Sequence, residues 1–73
     1  MTYTVKQLAD LAGVSPRTLH FYDEIGLLRP ESTGANGYRY YGGEAVLTLQ
    51  QILFYKELDF SLDEIKEIID KPG

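Results

Sequence analysis

The 73-residue sequence contains no cysteine, and His20 is its single histidine. Without a thiol there is no disulfide framework, thiolate metal site or redox switch, and one imidazole with no cysteine or second histidine beside it makes no metal site. Long apolar runs are missing too. No stretch approaches the roughly 18 residues needed to span a bilayer, and the start, MTYTVKQLADLAG, lacks the basic end and apolar centre of a secretory signal. The expectation is a cytoplasmic chain with no membrane contact, no metal and no other cofactor. Catalytic residues are absent as a group. The acids form no evident pair with a base or nucleophile, and helix caps and solvated faces account for nearly all of them. Gly34, Gly37, Gly42 and Gly43 flank a strand and do not open a helix as a phosphate loop must. No enzyme is expected.

What is present is enough for one small core. Apolar residues make up 44% of the chain, with six Tyr and three Phe, so residues 1–73 read as one folded domain near the lower size limit for independent folding. The formal net charge of −4 opposes a nucleic-acid partner, because affinity for phosphate rests mostly on Lys and Arg. Its distribution is uneven. Residues 1–41 balance Lys6, Arg17, Arg29 and Arg39 against four acids, whereas residues 42–73 set three Lys against seven acids. A DNA-facing surface is therefore expected on the first half.

Local signals along the chain are clear. Thr4 caps a first helix with Gln7 as capping-box partner, and Val5, Leu8 and Leu11 recur at helical spacing before Gly13 stops it. Ser15 is a strong N-cap, and Pro16 suits the first helical position because its missing N–H needs no partner there. The second helix runs from Pro16 to Ile25 and closes on Gly26. Two helices joined by a tight glycine-containing turn make a helix-turn-helix. In the polar run ESTGANG that follows, Asn36-Gly37 signals a hairpin turn, and Tyr38-Arg39-Tyr40-Tyr41 reads as the return strand of a wing. From Glu44 to about Leu58 a third helix carries Val46, Leu49, Ile52 and Leu53 on one side. Ser61 and Glu64 form a second capping box, opening a fourth helix with Leu62, Ile65, Ile68 and Ile69 that ends near Asp70 before Lys71-Pro72-Gly73. The predicted fold is mostly α, a winged helix-turn-helix of four helices plus a small β-hairpin wing.

At about 100° per residue, Leu19 and Tyr22 fall on one side of the second helix and Arg17, His20, Phe21 and Glu24 on the other. An outward Arg near the N-terminus of such a helix is placed to reach base edges in the major groove. It can pair with guanine O6 and N7 or with a phosphate, and Ser15, Thr18 and the helix N-terminus can hold a phosphate oxygen. His20 is read as a DNA contact or an ordinary surface residue. Phe21 either packs on the wing or touches a thymine methyl or sugar. Strand alternation sends Tyr38 and Tyr40 to one face and Arg39 and Tyr41 to the other, so half of this set is expected in the core, with Arg39 and one or two Tyr hydroxyls near phosphate.

Three segments together, VKQLADLAGVSPRTLHFYDEIGLL, GYRYY and LQQILFYKELDFSLDEIKEII, resemble the DNA-binding domain of the MerR family of bacterial transcription activators, over essentially the whole chain. RTLH followed by Asp23, and QQILFYKEL, are similar to its TipA/Mta-like branch, which responds to antibiotics and other drugs. The resemblance implies a two-fold homodimer in the full-length parent. Such a dimer binds an inverted repeat in promoter DNA and distorts an over-long spacer for RNA polymerase, with DNA deformation as the readout. It places DNA contacts at Ser15, Arg17, Thr18, His20, Phe21 and Tyr22, with wing contacts at Arg39, Tyr40 and Tyr41. The helix start at Thr4 and Val5 is expected to offer N–H groups to phosphate. Two departures stand out: position 20 is often Arg in the wider family, and Phe21 stands where Tyr or His is common. The dimerisation helix and effector domain are expected outside these residues, and any small-molecule effector site with them. Two alternatives remain: a small excisionase-like architectural winged helix, and a protein-interaction module using the acidic third and fourth helices.

Overall fold

In the computed structural model, which describes residues 2–70, the elements run β1 (Thr2–Thr4), α1 (Val5–Ala12), α2 (Pro16–Glu24), β2 (Ser32–Thr33), β3 (Arg39–Gly42), α3 (Gly43–Glu57) and α4 (Leu62–Asp70). The four expected helices are all present. α1 opens on the Thr4 capping box: the Gln7 amide donates to Thr4 Oγ1 at 3.2 Å and the Thr4 amide donates to Gln7 Oε1 at 2.9 Å. α2 opens on Ser15, whose Oγ accepts from the Thr18 amide at 3.2 Å. The helices end where the backbone turns left-handed, at Gly13 (φ 73°) and, just beyond α2, at Gly26 (φ 74°). Glycine reaches that region without a Cβ clash. After α3 the same left-handed turn is made by Asp59 (φ 65°), one of the few residue types besides glycine that tolerate it.

β1 is the element that local reading missed. It is only three residues long, and it pairs antiparallel with β3 in the register Tyr3↔Tyr41, so the wing hairpin becomes a three-stranded sheet of order β1-β3-β2. The β2–β3 connection is also looser than a two-residue turn. Thr33 pairs with Arg39, and residues 34–38 form a loop in which Asn36 Oδ1 accepts from the Tyr38 amide at 3.0 Å. The return strand therefore starts at Arg39, and Tyr38 stays in the exposed loop.

Leu8, Ala9, Leu19, Tyr22, Leu27, Leu28, Tyr41, Leu49, Ile52 and Ile65 form the core, drawn from every helix, the central strand and the segment after α2. Leu11 and Ile68, expected on buried faces from spacing alone, are exposed.

The α4 capping box makes stability depend on acid. The Ser61 amide donates to Glu64 Oε1 at 2.9 Å, and the Glu64 amide donates to Ser61 Oγ at 3.1 Å. Hydrogen bonds from the Ser61 backbone, and then from its hydroxyl, hold the Glu64 carboxyl below its ordinary range. A carboxyl whose value is lower in the folded state adds stability above the unfolded value, about 4.3, and loses it as pH falls through the folded value. Acidification from pH 5 to 3 is expected to speed amide exchange in the first turn of α4, and Glu64→Gln to flatten that dependence. Equal pH dependence in wild type and variant would show that the box is not the titrating device.

Candidate nucleic-acid interface

α2 stands between two open grooves. On the wing side, a recess of about 390 Å³ is bounded by Thr4, Val5 and Lys6 at the start of α1, His20 on α2, and Gly37, Tyr38 and Arg39 on the wing. On the other flank, a recess of about 480 Å³ is bounded by Ser15, Arg17, Thr18, Phe21 and Tyr22 with Lys56 at the end of α3 and Leu62 at the start of α4. Four of the seven Lys and Arg residues, Lys6, Arg17, Arg39 and Lys56, line these two grooves, and no carboxylate does. On α2 itself Asp23 is paired with Arg39, and Glu24 is exposed outside both recesses.

The N-terminus of α2 can present donors to an anion or an acceptor edge. Pro16 has no N–H and the Thr18 amide is bound to Ser15, so Arg17 supplies the first-turn amide that helix geometry leaves open. The Ser15 and Thr18 hydroxyls lie 3.0 Å apart, one donating to the other. At the start of α1 the Thr4 amide is committed to Gln7. The Val5 and Lys6 amides are the first-turn groups that the helix itself does not use.

Two expected contact residues belong to the core instead. Tyr41 is 0% exposed and Tyr22 5%, so neither side chain presents itself to a duplex. Tyr41 shares a strand face with Arg39; the strand packs against α1 and α3, and Arg39 reaches on to α2. Burial raises the Tyr22 hydroxyl pKa. It raises that of Tyr41 too, with the Asp23 charge adding to the effect and Arg39 opposing it. Tyr40 is half-buried on the opposite strand face, and a Cβ at Gly34 would stand 2.9 Å from its Cε2, so a side chain there would require the ring or the loop to shift. Phe21 is exposed, with its ring centroid 6.3 Å from that of Tyr22. It faces the α3–α4 flank, not the wing.

Arg39 is not a free wing cation. Its Nε lies 3.3 Å from Asp23 Oδ2 and its Nη1 3.0 Å from His20 Nδ1, which ties the wing to α2. Sequence reasoning gave no site role to Lys6, Lys56 or Asp23, and it named Tyr38 only within the return strand. Lys6 sits one residue past the candidate helix start at Thr4 and Val5. Lys56 is 39 positions from Arg17 along the chain, and only the α3–α4 packing brings them to one groove.

A helix-turn-helix with a β-wing on one flank and a helix pair on the other, its second helix lined by cations, is a winged helix-turn-helix domain. The sequence pattern of the MerR HTH family of regulatory proteins matches residues 3–71. Among curated relatives, the HTH-type transcriptional regulator SkgA of Caulobacter vibrioides is 58% identical over 71 residues, which is 97% of this chain and 28% of that protein. The HTH-type transcriptional activator mta of Bacillus subtilis is 56% identical over 73 residues, which is 100% of this chain and again 28% of the relative. The chain therefore spans less than a third of the length of these relatives. The crystal structure of MtaN, the N-terminus of the Bacillus subtilis multidrug transporter activator, superposes with a TM-score of 0.93 at 55% identity, covering 97% of this chain and 67% of that one. HiNmlR, a MerR family regulator lacking the sensor domain and bound to promoter DNA, gives 0.83 at 34% identity, covering 93% of this chain and 54% of its own. The chain belongs to the MerR family of HTH regulators.

Proposed function

We propose that this domain binds double-stranded promoter DNA by laying α2 in the major groove, with the wing and the α3–α4 turn against the backbone on either side. A major groove about 12 Å wide admits one α-helix, and flanking elements then meet the phosphates. The observation that carries this reading is the placement of Lys6, Arg17, Arg39 and Lys56 along the two grooves beside α2, with no carboxylate among the lining residues. Ser15, Arg17, Thr18 and His20 are the α2 residues assigned to DNA, with Phe21 beside them. Val5 and Lys6 serve the backbone through their amides.

Within the parent regulator, the domain acts as one half of a homodimer on an inverted repeat, distorting the promoter spacer for RNA polymerase in the bacterial cytoplasm. The solved regulators bound to promoter DNA, and within an RNA polymerase open complex, support that role. Effector recognition belongs to other parts of the parent. The domain has no catalytic role, in keeping with relatives that are transcription regulators.

An NMR titration of the labelled chain with mixed-sequence duplex at low salt tests the reading without a known operator. Shifts are expected at 4–6, 15–24, 37–41 and near Lys56. If one domain neutralises roughly three phosphates, a fourfold rise in salt weakens binding about 40-fold, and a dimer by about the square of that. Shifts confined to the outer faces of α3 and α4 would overturn the proposal in favour of a protein-interaction module.

A further inference from the structure

Arg39 reaches from β3 to α2 and holds two side chains there, His20 at 3.0 Å and Asp23 at 3.3 Å. A guanidinium has only donors, so His20 Nδ1 in this contact is an acceptor. A neutral imidazole accepting at Nδ1 carries its proton on Nε2. Nε2 makes no hydrogen bond among the described residues, and His20 lines the wing-side groove. The Asp23 carboxylate, 23% exposed, meanwhile offsets the Arg39 charge at its other edge. A cation matched in this way gains less from a phosphate than a free one does.

We propose that Arg39 is a positioning residue rather than a phosphate ligand. With Asp23 as its anchor, it locks His20 as an Nε2–H donor aimed at an acceptor atom of the duplex, a purine N7 or O6 on a base edge or a phosphate oxygen. This rests on the DNA-binding reading above and assigns the chemistry of one contact within it. It also accounts for an imidazole on the exposed face of α2 whose partner is an arginine. Left alone, the ring would rotate and exchange tautomers; held by Arg39, it presents one donor in one direction.

The test has a DNA-free arm and a DNA-bound arm. In the free protein, ring-nitrogen NMR of His20 is expected to report a hydrogen-bonded, unprotonated Nδ1 and a protonated Nε2. Arg39→Gln should move the Nδ1 resonance toward that of a solvated ring. A wild-type ring with Nδ1 protonated, or one unmoved by the variant, overturns the clamp whatever the DNA result.

In the bound arm, anisotropy is followed on a duplex selected from a randomised pool at low salt. His20→Ala and Arg39→Gln are each expected to weaken binding about 10-fold. In the His20→Ala background, Arg39→Gln should cost little more. The log–log salt slope should hold for Arg39→Gln, whereas losing a phosphate ligand lowers it by about 0.9. Additive losses or a reduced slope would make Arg39 a phosphate ligand and overturn the proposal. Replacing purines by 7-deazapurines, or single phosphates by methylphosphonates, identifies which acceptor His20 meets: the substitution that matters weakens wild type and not His20→Ala. If neither does so, His20 is not a donor to DNA. Absence of any wild-type binding defeats the DNA-binding reading itself, and the free-protein spectrum still tests the clamp.

Discussion

Arg17→Ala is expected to weaken duplex binding by about 10- to 100-fold per domain while leaving unfolding unchanged. Arg17 is exposed in the first turn of α2, and among the described residues its guanidinium joins no ion pair, unlike Arg39 with Asp23 and Lys66 with Asp70. No internal interaction has to be broken before it meets DNA, and none is lost when it is removed. A bidentate pair with guanine contributes about 1–3 kcal/mol of discrimination, and two copies in a dimer compound the loss. The salt dependence separates the two roles open to it. If Arg17 reads a base, the slope of log affinity against log salt is retained and preference at one base pair relaxes. If it binds phosphate, the slope falls by about 0.9 and all sequences weaken alike. Surface changes of this kind stay within about 0.5 kcal/mol of wild-type stability. Denaturant unfolding alongside the anisotropy series checks both halves, and unchanged affinity would remove Arg17 from the interface.

Leu19→Ala acts on the same helix through the opposite face. Leu19 is 0% exposed within the shared core, and truncating such a leucine typically costs about 3–5 kcal/mol from lost transfer and the residual cavity. A domain of this size has a total stability of about 4–11 kcal/mol, so the loss takes from about a quarter to all of the margin. A drop in Tm on the order of 15–25 °C is expected, with DNA binding lost at 37 °C although Leu19 touches no DNA. Calorimetry or circular dichroism measures the first, and binding at 10 °C, where the remaining folded fraction is larger, measures the second. A loss under 1 kcal/mol would mean that α2 is not docked through this residue. Arg17→Ala and Leu19→Ala thus separate contact from support: one lowers affinity in a folded domain, the other removes the fold.

Much of this was legible one helix at a time. Thr4 with Gln7, Ser15 before Pro16, and Ser61 with Glu64 place three helix starts, because a cap bond spans only three residues and its partners are visible together in the chain. Gly13 and Gly26 mark helix ends for the same local reason. The 3.6-residue period put Leu19 and Tyr22 inside and Arg17, His20 and Phe21 outside on α2, as the exposures bear out. Proximity between elements was harder to see. Leu11 has the spacing of a core residue but is exposed, at the edge of an open recess that it shares with Thr2 and Tyr3 of β1. β1 is too short to announce itself and exists through pairing with β3, far along the chain.

By itself, then, the sequence determined the four helices and their caps, the turn that makes a helix-turn-helix, the inward and outward faces of α2, and membership of the MerR family. All of these rest on interactions within a few residues or on a linear pattern. Tertiary structure alone decided that Tyr41 is buried in the core, that Lys56 joins Arg17 at one groove, and that Arg39 is held by His20 and Asp23. Each of these depends on which surfaces remain uncovered, and on which charges meet, once distant segments pack. A helical or strand period says which way a side chain points from its own element, and the packed neighbours decide what lies there.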